Sequence, residues 1–166
     1  GPRRDGRAAA GLRRRSPGVS DVARAARLLH EATRDLGAAE LSRPVPSCPG
    51  WTVSDALTHV AENLAGDLAE AGLRPETADV LTAYELHAAE LPRAQFQVLD
   101  MTLHAWDIGR ALGRPVELGD ADLDLLETFA LAAGDRLRED DAFRPVPAPA
   151  GADRPTRVLA AYGRTP

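Results

Sequence analysis

The sequence predicts an all-α protein: a four-helix bundle with extended Pro-rich capping segments and a short C-terminal helix. Apolar residues recur at three- and four-residue steps through four long segments, which is the period of a half-buried helix. Pro and Gly clusters separate those segments, and no segment alternates at period two as a strand would. A chain of 166 residues holds one domain with a core large enough to fold without staples.

Residues 1 to 18 lack any apolar period and read as a flexible basic tail that begins with Gly-Pro, the remnant a tag-cleaving protease leaves. The single helical domain is expected over residues 19 to 166. Ser20 or Asp21 opens its first helix, which runs to about Leu36 on Val22, Ala25, Ala26, Leu29 and Leu36 and stops at Gly37. His30 has no acidic or His neighbour pattern and belongs at the surface. The run from Arg43 to Trp51 carries three Pro and a Gly, so it is extended across the helix ends with Trp51 as an anchor. Thr52 caps the next helix, with Asp55 as the acid of a capping box. Val53, Leu57, Val60, Leu64 and Leu68 form its stripe as far as Gly72. A shorter helix spans Thr77 to about Glu90, and Pro92 separates it from the central helix, Ala94 to Leu112. Another helix follows from about Asp122 to Arg138, closed by Glu139-Asp140-Asp141. Phe143 to Pro149 is extended, and Thr156 to Tyr162 forms the last short helix.

Charge is uneven. Residues 1 to 18 hold six Arg and one Asp, whereas the remainder holds 14 Arg against 24 acidic residues. That acidic body argues against a nucleic-acid platform. Lys is absent, which excludes a catalytic Lys, a Schiff base and a phosphate-loop Lys together. There is no membrane-length apolar run or signal-peptide pattern, and Cys48 has no internal partner. A soluble protein of the reducing cytoplasm is expected.

The chemistry concentrates on the central helix. At 100° per residue, Asp100, His104 and Asp107 share one stripe, flanked by Phe96, Leu99, Leu103 and Trp106 on one side and Met101, Ile108 and Leu112 on the other. A helix this apolar is largely buried, and a buried carboxylate requires a cation or donors. One reading makes Asp100 and His104 metal ligands, with His59 of another helix as the third. Two imidazoles and a carboxylate suit Zn²⁺, Ni²⁺ or Fe²⁺. The other reading is a hydrogen-bonded core pair with His59 on the surface. Asp107 either orients a ligand from behind or pairs with Arg110 one turn on. Asp55, four residues before His59, could support the site but has capping as a sufficient role. No His or Arg adjoins Cys48 in sequence, so it is read as packing.

Three segments carry a family resemblance. Ser47-Cys48-Pro49-Gly50-Trp51-Thr52-Val53-Ser54-Asp55, followed by Thr58-His59-Val60, is similar to the C-P-G-W-[ST]-x-x-D-x-x-x-H signature of the DinB-like, mycothiol-dependent maleylpyruvate isomerase family. The stretch from Asp100 through His104, Trp106, Asp107, Arg110, Ala111 and Gly113 resembles the family's [DE]-x-x-x-H-x-W-D-x-x-R-A-x-G. Phe143 to Pro149 and Thr156 to Arg164 resemble its C-terminal segment.

The resemblance implies a DinB-like four-helix bundle whose metal ligands are His59, Asp100 and His104. It also implies an enzyme that isomerises, transfers a thiol to, or cyclises an electrophilic small molecule, a biosynthetic pathway being one setting for such a step. The metal, zinc before nickel or iron, would activate a thiol or water, with mycothiol or another low-molecular-weight thiol as co-substrate. The alternative is a non-catalytic metal- or ligand-binding helical module. Only 40 residues separate His59 from Asp100, fewer than the family usually carries. The trimmed third helix would leave just over one turn of the central helix open by its rise per residue. A homodimer is expected to cover that strip.

Overall fold

The structure, a computed structural model, describes residues 19–73, 79–139 and 143–166. The expected basic tail, the Arg74 to Thr77 junction and Asp140-Asp141 lie outside the described residues.

Local sequence sets the helix ends. Helix α1 (Val19–Ala32) turns Val22, Ala25, Ala26 and Leu29 into the core and leaves His30 exposed. A short helix α2 (Ala38–Leu41) follows, which the apolar pattern did not announce; Glu40 starts it by accepting from the Gly37 N–H at 3.0 Å. Helix α3 (Val53–Glu70) begins as expected. Thr52 Oγ1 accepts from the Asp55 N–H at 3.3 Å while Asp55 Oδ2 accepts from the Thr52 N–H at 2.8 Å.

Helix α4 (Val80–His87) is capped by Asp79 and runs into one 3₁₀ turn, Ala88–Glu90. Helix α5 (Ala94–Ala111) is the central helix. The helix expected from 122 to 138 is in fact two, α6 (Asp120–Ala133) and α7 (Arg136–Glu139). Gly134 divides them with φ 53° and ψ −129°, a backbone that L-residues avoid. Asp153 caps α8 (Arg154–Ala160), and Pro155 sits in its first turn, where no N–H is missed.

Helix α5 separates two apolar clusters. Met101, Ala105 and Ile108 pack with α1, α3 and α4 on one side, whereas Leu99, Leu103 and Trp106 meet Leu123, Leu126, Phe143 and Tyr162 on the other. Every residue of α5 from Gln97 to Gly109 is buried. Helix α5 is therefore covered within the chain from Gln97 to Gly109. No helix among the described residues is long and apolar enough to cross a membrane.

Candidate metal centre

Helix α5 presents Asp100, His104 and Asp107 as one stripe at i, i+4 and i+7, and α3 brings His59 against it. His59 Nε2 lies 3.4 Å and His104 Nε2 3.3 Å from the same oxygen, Asp100 Oδ1. One atom from each of the three lies within 4.8 Å of the others. Ligands about 2.0–2.1 Å from a tetrahedral divalent ion stand roughly 3.3 Å apart. Both imidazole-to-carboxylate spacings fit such an ion.

Asp100 and His104 are buried, while the His59 side chain keeps 35 % of its exposure and forms the solvent edge. No fourth His, Cys, Asp or Glu among the described residues joins this group. Trp51 covers its outer face: the indole stacks on His104 at 5.8 Å and tilts against His59 at 5.0 Å. It is an anchor, as the sequence suggested, and what it anchors is the pair of imidazoles.

A second donor set shares His104. Its Nδ1 lies 3.1 Å from Asp107 Oδ2, at ion-pair distance but off hydrogen-bond direction, and Cys48 completes the trio. Asp107 is already engaged. Arg164 grips both carboxylate oxygens, Nε to Oδ1 at 3.1 Å and Nη2 to Oδ2 at 2.8 Å. Ser47 Oγ donates to Oδ1 at 2.5 Å and Cys48 Sγ approaches Oδ2 at 3.5 Å. A cation placed there would face the Arg164 guanidinium within a few ångström, a repulsion that low dielectric magnifies. The set of His59, Asp100 and His104 fits a metal better, and Asp107 suits the carboxylate that commonly orients a metal-binding imidazole from its other nitrogen.

Electrostatics show how strongly the cluster favours a cation. Burial works against ionising Asp100, but His104 and His59 outweigh it and hold the carboxyl well below its usual range. Burial also opposes ionising Asp107, yet His104 and Arg164 lower it to about 2. For His104 burial opposes the charge, and the nearby Asp100, Asp107 and Cys48 prevail, raising it well above an ordinary imidazole. Two buried carboxylates around one imidazole hold positive charge between them.

Of the supporting residues anticipated, Asp107 stands behind His104, but its salt bridge is to Arg164 and not to Arg110. Arg110 is exposed, its guanidinium 5.4 Å from the centre of the Trp106 ring. Asp55 is exposed and spends its carboxylate on the Thr52 cap. Four contributors escaped sequence reasoning. Asn63 donates to Asp100 Oδ2 at 3.2 Å and reaches His59 Nε2 at 3.1 Å; its place one turn after His59 was the available signal. Ser47, Cys48 and Arg164 lie about 60 residues from Asp107 in sequence, where helical periodicity carries no information.

Two local structures deliver those distant groups. The Pro-rich loop doubles back into a small hairpin, where an extended run was expected. Val45 N–H donates to Trp51 O and Val53 N–H to Arg43 O, each at 2.9 Å, and Ser47 and Cys48 occupy its turn. At the other end, Gly163 turns the chain inward with φ +76°; a Cβ there would meet Arg144 O at 2.6 Å. Only Gly fits, and the next residue is Arg164.

Comparison with curated proteins and with solved structures returned no significant match. The family model of the mycothiol maleylpyruvate isomerase N-terminal domain matches residues 22–165, which takes in both faces of the centre and the Arg164 clamp, and the chain belongs to that family.

Proposed function

We propose that the protein is a metal-dependent enzyme that acts on an electrophilic small molecule. His59, Asp100 and His104 would hold one divalent ion. The observation that carries this reading is the convergence of both imidazole Nε2 atoms on Asp100 Oδ1, at 3.4 and 3.3 Å, with His59 at the solvent edge. Three protein donors with an open side favour catalysis, whereas a closed four-donor shell would favour structure. A divalent ion bound there would supply Lewis acidity that brings a thiol or water to its anionic form near neutral pH.

The chain's own residues account for the rest. Asp107 stands 3.1 Å behind His104 Nδ1, where it favours the charge of a cation bound on the other side of the ring, Asn63 holds Asp100 Oδ2, and Trp51 packs against both imidazoles. Family membership favours a low-molecular-weight thiol, mycothiol or a relative, as co-substrate. Thiol addition followed by isomerisation or transfer fits that pairing, as does a cyclisation. Zinc suits the two-imidazole, one-carboxylate set best, with nickel and iron next.

Elemental analysis of the purified protein tests the centre. About one zinc per chain is expected, and His59→Ala, Asp100→Ala and His104→Ala should each lose most of it, since dropping one of three ligands forfeits much of the chelation. Full occupancy in His59→Ala would sink the three-residue site. A zinc-loaded protein that lowers the apparent pKa of neither an added thiol nor water would favour the non-catalytic binding module.

A further inference from the structure

Four acidic side chains among the described residues are buried, and three of them face a cationic group. Asp122 meets Arg24 at 2.6 Å, Asp107 meets Arg164 at 2.8 Å, and Asp100 meets two imidazoles at 3.4 and 3.3 Å. Asp67, on α3 about two turns beyond His59, is 3 % exposed and has no ion pair among the described residues. Its Oδ2 accepts from the Tyr84 hydroxyl of α4 at 2.5 Å, while its Oδ1 has no hydrogen-bond partner. Burial and then the bond to Asp67 push the phenol well above its ordinary range, so Tyr84 stays a donor and adds no second negative charge. A carboxylate oxygen buried in this way is costly.

A second unpartnered oxygen belongs to the same turn. Gln97 of α5 is 4 % exposed, and its Nε2 donates to the backbone oxygen of Asn63 at 3.5 Å. In an α-helix that oxygen is the one that accepts from the N–H of residue 67, so the Gln97 amide lies against the turn of α3 that carries Asp67. Side chains on a helix lean toward its N-terminus, which brings the Asp67 carboxylate back toward Asn63 and that amide. With Nε2 on a carbonyl, Oε1 is left over, and it too has no partner. Reversing the amide would set two carbonyl oxygens together. Asn63 also donates to Asp100 Oδ2 at 3.2 Å, so these two acceptors lie on the inner continuation of the metal centre.

We propose that Asp67 Oδ1 and Gln97 Oε1 are ligands of a buried monovalent cation of the size of sodium, potassium or ammonium. Oxygen donors select a hard cation. One carboxylate balances one positive charge, whereas a divalent ion would leave a net charge in the core. The pair also lacks the imidazole and thiolate that transition ions favour. A water would donate to both oxygens yet leave the Asp67 carboxylate without the cationic partner that the other three buried acids have. The site is separate from His59, Asp100 and His104 and does not depend on the reaction assigned to them.

Thermal unfolding of the full chain in sodium, potassium, ammonium or tetramethylammonium chloride, at one ionic strength, tests the proposal; tetramethylammonium is too large to enter. At least one small cation raises Tm above the tetramethylammonium value by about 5 °C or more, the shift for a ligand near a hundred times its Kd in a chain of this size. Asp67→Asn keeps the shape, lets an amide donate to Gln97, and loses that difference. Gln97→Leu keeps the carboxylate and removes one ligand, so it weakens the apparent cation affinity by about tenfold or more; it carries the test if Asp67→Asn fails to fold. The difference appears both in zinc-saturated and in chelator-stripped protein. Equal Tm in all four salts overturns the proposal in favour of a buried water. A cation-specific rise that survives in Asp67→Asn, or one confined to chelator-stripped protein, places the ion elsewhere and overturns it as well.

Discussion

Replacing Arg164 by Met removes the positive half of a pair that water does not reach: Arg164 is 2 % exposed and Asp107 fully buried. The variant loses both bonds to the carboxylate, at 3.1 and 2.8 Å, and the Nη1 bond to Tyr162 O at 2.8 Å. Ser47 and Cys48 still face Asp107 without supplying charge, and the one cation left beside it, His104 at 3.1 Å, is shared with Asp100, so the cost falls toward the lower end of the range that follows. Breaking a buried pair from one side costs about 3–5 kcal/mol, because the remaining charge stays buried and uncompensated. For a chain of this size that corresponds to a fall in Tm of roughly 10 °C. The assay is urea and thermal unfolding of metal-free protein, so that metal affinity does not enter the result. A double-mutant cycle with Asp107→Asn separates the pair from lost packing, with a coupling of about 2 kcal/mol expected for groups in one buried network. A loss under about 1 kcal/mol in Arg164→Met, or losses that simply add in the double variant, would refute the reasoning.

Other outcomes test the site and the fold. Asn63→Ala and Asp107→Asn should each weaken zinc binding by about tenfold or more while leaving the three ligands in place, because Asn63 holds Asp100 Oδ2 and Asp107 favours the charge of a cation bound on the other side of the His104 ring; competition against a chromophoric chelator reads this, and unchanged affinity in both removes their supporting role. Gly163→Ala should cost about 1–3 kcal/mol, from φ +76° and the 2.6 Å approach to Arg144 O, visible as a lower urea midpoint. The capping carboxylates set an acid limit. Bonds from Thr52 to Asp55, Thr82 to Asp79 and Thr156 to Asp153 hold all three below the usual carboxylate range. A depressed folded pKa gives stability that is present above about pH 4 and lost as pH falls through the folded values. A urea midpoint that stays level from pH 5 to pH 3 would contradict this. Light scattering over a hundredfold concentration range tests the expected homodimer: a doubled mass supports it, and a single-chain mass throughout rejects it and leaves the chain's own segments as the cover of α5.

The helices and half of the candidate site were legible in the sequence because both depend on short-range periodicity. Thr52 and Asp55 announce the start of α3, and the stripe of Asp100, His104 and Asp107 follows from 100° per residue. The boundary at Gly134 was missed because apolar spacing continues through it, while the backbone angle that breaks the helix leaves no mark on that spacing. His59 was a candidate third ligand from its residue type, but its position off the apolar stripe of α3 favoured a surface residue until the family resemblance was added.

Tertiary structure decided the partners. Asp107 had an Arg available one turn away, and the fold gave it Arg164 from the far end of the chain, while Arg110 stacked on Trp106. Cys48 had no basic neighbour in sequence and acquired His104 and the Arg164–Asp107 pair in space. The physical reason is burial. Along one helix, geometry fixes which residues share a face, but the identity of the group that satisfies a charge in the interior depends on which distant segments cover that face. Here those segments are the hairpin of Ser47 and Cys48 and the turn at Gly163, whose contacts no local period encodes.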